Sequence, residues 1–140
     1  MKQIPVIFWT GTGNTQMMAD AVAEAINAAG AEAVVKNVSE ITADEAAGYD
    51  ALALGCPAMG AEVLEECEFE PFFTELEGKL AGKKVALFGS YGWGGSYMQD
   101  WEARVKDAGA KLVADGVLAL GAPDDEAVAK LAAAGKLLAE

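Results

Sequence analysis

The sequence predicts an α/β fold in which a parallel sheet is covered by helices on both faces. Two patterns predict it. Short β-rich apolar runs alternate with amphipathic segments along all 140 residues, as right-handed βαβ crossovers require. The runs are apolar almost throughout rather than at every second residue, as strands buried on both faces must be.

Five strands are expected: residues 4–9 (IPVIFW), 31–38 (AEAVVKNV), 49–56 (YDALALGC), 84–90 (KVALFGS) and 111–120 (KLVADGVLAL). Pro5 strains the first, because proline removes a ladder donor, so it is expected at the first paired position or at a bulge. Four helical segments lie between and after the strands. Met18, Val22, Ile26 and Ala29 recur at spacings that gather them on one face, and Gly30 follows as a C-terminal cap. Near Pro71 a second helix begins and buries Phe72 or Phe73, Leu76 and Leu80. Met98, Trp101, Val105 and Ala108 mark the third, which Gly109 ends. The last opens with Pro123 in its first turn and with Asp124, Asp125 and Glu126 complementing the helix dipole.

Length and composition suit one domain, residues 1–140, with 53% hydrophobic residues and no repeat or low-complexity tract. Twenty-two acidic side chains against 10 basic ones leave a net charge of −12. Such a surface repels nucleic acid and anionic lipid and favours a basic protein partner. The chain has no histidine and its two cysteines, Cys56 and Cys67, form no CxxC, so no zinc site or histidine-based triad is expected. The apolar run 4–9 is too short for a signal-peptide core, and no stretch approaches the roughly 20 apolar residues that span a bilayer. The cytoplasm and a monomer are the defaults.

In an open α/β sheet ligands bind beyond the carboxyl ends of the strands. Three loops there share a purpose. After strand one comes TGTGNT, with Thr10, Gly11, Thr12, Gly13, Asn14 and Thr15 leading into a helix. Amides, hydroxyls and a helix N-terminus make a phosphate cradle, although residues 3–35 contain no Lys or Arg. Gln16 stands where a dinucleotide fingerprint needs Gly or Ala, and no GK[ST] is present, so neither that motif nor a Walker loop fits. After strand three comes GCPAMGAE, which sets the thioether of Met59 beside the conformationally free Gly60. After strand four comes SYGWGG, whose Trp93 is flanked by glycines and suited to lie against a planar ring. Together they point to a planar ligand carrying phosphate.

In order and spacing these motifs resemble the short-chain flavodoxins over essentially the whole chain: TGTGNT is similar to their phosphate loop, GCPAMG to their first flavin loop and SYGWG to their second. The resemblance implies a five-stranded sheet in the order 2-1-3-4-5, noncovalent FMN and no substrate turnover. It implies low-potential one-electron transfer, mainly between semiquinone and hydroquinone, to redox partners with basic docking patches. It lacks the insertion that interrupts the last strand of long-chain members. By resemblance, Thr10 through Thr15 hold the phosphate; Pro57, Ala58, Met59, Gly60, Ala61 and Glu62 form the first flavin loop; and Ser90, Tyr91, Gly92, Trp93 and Gly94 form the second. Met59 and Trp93 cover the ring, the Gly60 carbonyl turns toward N(5), Glu62 faces N(3), and the amides of Gly92, Trp93 and Gly94 reach the pyrimidine edge. Ala61 departs from the polar residue that many members carry.

Glu62, Glu65, Glu66, Glu68 and Glu70 crowd nine residues beside the first flavin loop, and are expected to lower the potential by repulsion and to form a docking face. An FMN-dependent quinone or nitro reductase of the same fold is the alternative; a receiver domain is disfavoured by Cys56 and Thr10 where acids are needed.

Overall fold

A computed structural model of the chain describes residues 2–11, 13–58, 64–91 and 96–140. Its elements run β1 (Gln3–Phe8), α1 (Asn14–Ala28), β2 (Glu32–Asn37), α2 (Ala43–Ala46), β3 (Ala51–Gly55), α3 (Phe69–Glu77), β4 (Lys84–Tyr91), α4 (Ser96–Asp107), β5 (Lys111–Leu112), β6 (Val117–Leu120) and α5 (Asp125–Ala139). All pairings are parallel, in the order β2-β1-β3-β4-β5, with β6 also against β4. The expected architecture and strand order are therefore present. Three details differ.

First, the expected strand 111–120 is two strands on one edge. β5 pairs with Lys84 and Val85, the chain leaves the ladder, and β6 rejoins at Val117 opposite Phe88. Gly116 turns its amide to Glu102 Oε2 at 2.7 Å instead, and a Cβ there would overlap Met98. A long-range side-chain bond overrides the local apolar pattern. Second, the short α2 was not expected; a capping box of Thr42 and Glu45 makes it. Third, Pro123 precedes α5 rather than sitting in its first turn, and Asp124 is the cap, accepting from Ala127 N at 2.8 Å.

Pro5 lies inside β1 opposite Val34, one residue before pairing with β3 begins at Val6. The Trp9 amide donates to Gly55 O on β3, so by the period of two the amide position of Pro5 faces β3, ahead of that ladder. The proline is thus neither the first paired residue nor at a bulge, and the β1–β3 ladder begins just past the donor it lacks.

The two faces of the sheet bury different layers. Ile4, Val6, Phe8, Ala53 and Ala86 pack under α1 and α5; Ile7, Leu52, Leu54, Val85 and Leu87 pack under α2, α3 and α4. Alternation along each strand sends consecutive residues to opposite cores. Met18, Val22 and Ile26 of α1 are fully buried as expected, while Ala29 is exposed. Helices α1 and α5 approach closely enough that a Cβ on Gly135 would lie 2.8 Å from the Val22 carbonyl. Helix α1 ends on Gly30 at φ 95°, with Ala31 N donating to Ile26 O and Gly30 N to Asn27 O; α4 ends the same way on Gly109.

On the other face, Phe69 and Phe73 meet Trp101 edge-on at 5.5 and 5.9 Å between centroids. Arg104 lies 4.7 Å over the Phe73 ring and forks to Glu70 and Glu77, at 2.7 Å to Glu70 Oε1 and 3.0 Å to Glu77 Oε1. This joins α4 to α3.

Arg104 holds the Glu70 carboxyl below its ordinary value of 4.5. A lowered folded value means that the pair stabilises the fold above the unfolded value and loses that contribution as pH falls through the folded one. With both partners about a third exposed, screening keeps the effect modest. Arg104→Ala is expected to cost about 1–2 kcal/mol in urea unfolding at about pH 7 and less at about pH 3, where the Phe73 contact remains; an equal cost at both would contradict the assignment. Gly89 is boxed in by Tyr97 Oη and the Cys56 carbonyl, which an added Cβ would overlap. Gly89→Ala is expected to cost about 1–3 kcal/mol, and an unchanged urea midpoint would show that the pocket relaxes freely.

Candidate functional site

The carboxyl ends of β1, β3, β4 and β6 are knitted beyond their ladders. Trp9 N donates to Gly55 O at 3.0 Å, Cys56 N to Phe88 O at 3.1 Å, Ala58 N to Ser90 O at 2.9 Å and Gly121 N to Tyr91 O at 3.0 Å. These bonds carry the sheet geometry into the loops and bring the three sequence motifs to one end of the molecule.

Ser90 is their meeting point. It is buried; its carbonyl takes the Ala58 amide, and its hydroxyl lies 3.4 Å from Thr15 Oγ1, which is buried in turn. Thr10 Oγ1 accepts from the Gly13 amide at 2.9 Å, which leaves the Thr10 hydroxyl proton free to donate elsewhere. Gly13, at φ 92°, is the N-cap of α1.

That helix start differs in chemistry from three others. The 3-10 turn after β2, α2 and α5 are capped by side-chain oxygens of Asn37, Thr42 and Asp124. Helix α1 has a glycine cap, which offers no side-chain oxygen, and no acidic residue in its first turn. Its own first turn thus sets no carboxylate against its positive end, which suits a phosphate. Exposed Gly11 permits close approach to the backbone, with Trp9 stacked beside it. These residues fit the phosphate of FMN.

Of the expected site residues, Thr10, Gly11, Gly13, Asn14, Thr15, Pro57, Ala58, Ser90 and Tyr91 are brought to this end of the sheet. Pro57 and Ala58 are half-buried, and Tyr91 closes β4. Thr12, Met59, Gly60, Ala61, Glu62, Gly92, Trp93 and Gly94 lie outside the described residues.

Three further residues frame the first flavin loop. Fully buried Cys56 accepts the Glu65 amide on its sulfur at 3.3 Å and the Tyr97 hydroxyl on its carbonyl at 2.8 Å. Burial pushes the thiol up to about 12, so it is an inert acceptor. The Glu65 carboxylate, 5% exposed, accepts from the amides of Cys67, Glu68 and Phe69 at 2.7, 2.7 and 2.9 Å. Burial pushes its carboxyl up, but the three amides outweigh this and hold it below the ordinary range. Burial likewise pushes the Tyr97 phenol well up. The only sequence signal for Glu65 was its place shortly before α3, which an exposed cap would share.

The expected acidic face is thus thinner than the sequence suggests. Glu65 is buried and spent on amides, and Glu70 is spent on Arg104. Among the described members of the cluster, Glu66 and Glu68 are exposed, and Glu68 accepts from Trp9 Nε1 at 3.3 Å.

A family model described as Flavodoxin matches residues 6–135. The flavodoxin of Clostridium beijerinckii is 48% identical over 121 residues, covering 86% of this chain and 88% of that one. The flavodoxin of Megasphaera elsdenii is 46% identical over 116 residues, covering 82% and 85%. The solution structure of two-electron reduced M. elsdenii flavodoxin superposes with a TM-score of 0.89 at 42% identity, covering 97% of this chain and 98% of that one. A fold in the order 2-1-3-4-5, a family model over most of the chain and relatives matched over most of their length converge: the chain belongs to the flavodoxin family, whose members are FMN-bound electron carriers rather than enzymes.

Proposed function

We propose that the chain carries single electrons at low potential on one noncovalently bound FMN, held by the loops at the carboxyl ends of β1, β3 and β4. The observation that carries this reading is the junction at Ser90, where the phosphate loop and both flavin loops are tied within hydrogen-bond reach. FMN supplies the redox chemistry; the protein supplies binding, orientation and electrostatics.

The hydroxyls of Thr10, Thr12 and Thr15, the Asn14 side chain, and the amides of Gly11 and Gly13 hold the phosphate in this reading. Residues 57–62 and 90–94 enclose the ring, with Met59 and Trp93 as its covers and Glu62 on its pyrimidine side. The absence of Lys and Arg from residues 3–35 keeps positive charge away from a cofactor that must remain strongly reducing. Its partners are redox proteins; the net charge of −12 and exposed Glu66 and Glu68 support docking on basic patches by a monomer. Both cysteines are free, with Cys67 exposed, which suits the cytoplasm. No described helix is long and apolar enough to cross a membrane. The reductase alternative is not favoured.

Apoprotein titrated with FMN is expected to bind it one-to-one and to quench its fluorescence, with two resolved one-electron steps on reductive titration; a protein that takes up no FMN refutes the reading. Thr15→Val is expected to weaken FMN binding about tenfold, the worth of one hydrogen bond to a charged group. Unchanged affinity removes Thr15 from the cradle. Gln16→Lys places a charge at the exposed first turn of α1. At about 10 Å and an effective dielectric of about 40–80 this contributes about 0.4–0.8 kcal/mol, or about 20–35 mV upward in the potentials; potentials that do not rise give the missing cation another cause.

A further inference from the structure

Cys56 precedes the first flavin loop, Glu65 follows it, and Tyr97 stands three residues beyond Gly94, the end of the second. All three are buried, at 0%, 5% and 2% exposure. Their bonds converge on Cys56: its sulfur takes the Glu65 amide and its carbonyl takes the Tyr97 hydroxyl. Gly89 leaves the space that lets Tyr97 reach that carbonyl. The end of the second loop is thereby fastened to the start of the first, and the end of the first is fastened to its own beginning.

Glu65 is a costly way to start a helix. Helix α5 achieves the same with the exposed Asp124, whereas α3 is preceded by a buried carboxylate that takes three amides and the Cys67 thiol. Burying a charge is expensive, and capping alone does not require it. What burial adds is position, because the carboxylate fixes residues 65–69 rigidly at the foot of the first loop while their first amide holds Cys56.

We propose that Cys56, Glu65 and Tyr97 form a clamp that sets the spacing of the two flavin loops, and so act as positioning residues for the affinity and potential of FMN. The proposal rests on the FMN reading above. None of the three touches the cofactor in it; they act through the residues between them.

The clamp is tested with Tyr97→Phe, Glu65→Gln and Cys56→Ala, measuring FMN dissociation constants, both one-electron potentials and urea midpoints of the apoproteins. Each variant is expected to change the ratio of affinities for oxidised and one-electron-reduced FMN at least threefold, about 30 mV at 59 mV per tenfold. Tyr97→Phe is the decisive variant, because it changes no charge and removes one hydroxyl; should Glu65→Gln fail to fold, Tyr97→Phe decides alone. Lowered urea midpoints with that ratio unchanged would overturn the proposal and leave the three as structural residues. Wild-type protein that binds no FMN overturns the parent reading and the clamp with it. Normal FMN uptake by the wild type with unshifted variants overturns the clamp alone.

Discussion

Everything at the functional end depends on parallel strands continuing to hydrogen-bond after their ladders end. A parallel ladder leaves amides and carbonyls at its carboxyl edge that still need partners, and here the bonds from Trp9, Cys56, Ala58 and Gly121 satisfy them across strands. Loops anchored this way inherit the registry of the sheet. The described ends of three segments far apart in sequence therefore meet at fixed positions, which lowers the cost of bringing them together around a ligand.

The strands and helix faces were legible because burial follows period. Val6 and Ile7 enter different cores, and Met18, Val22 and Ile26 mark one side of α1. The phosphate loop was legible because its chemistry is local: glycine, hydroxyls and a helix start lie within six consecutive residues. The roles of Glu65, Tyr97 and Glu102 were not, because each depends on a partner made available by tertiary packing. Glu102 turns Gly116 away from the ladder and divides a run that reads as one strand. Glu65 reads as one more surface acid until its three amides are seen.

The acidic balance accordingly has more than one use. Glu45 and Asp124 cap helices, Glu70 and Glu77 bind Arg104, and Glu65 is internal structure. A count of carboxylates overstates the field available to a docking partner, because Arg104 offsets one of the two charges on Glu70 and Glu77.

The gap between β5 and β6 has a consequence for how this fold diversifies. Val113 still donates to Val85, and Val117 resumes the ladder, so both flanks are anchored independently while exposed Asp115 stands between them. Extra chain spliced in there would break no strand bond and would carry mainly a closure entropy, which rises by only about 0.6 kcal/mol for each doubling of loop length. The seam lies in the last strand, the one that the long-chain relatives interrupt, and it is already open in a protein that has nothing inserted.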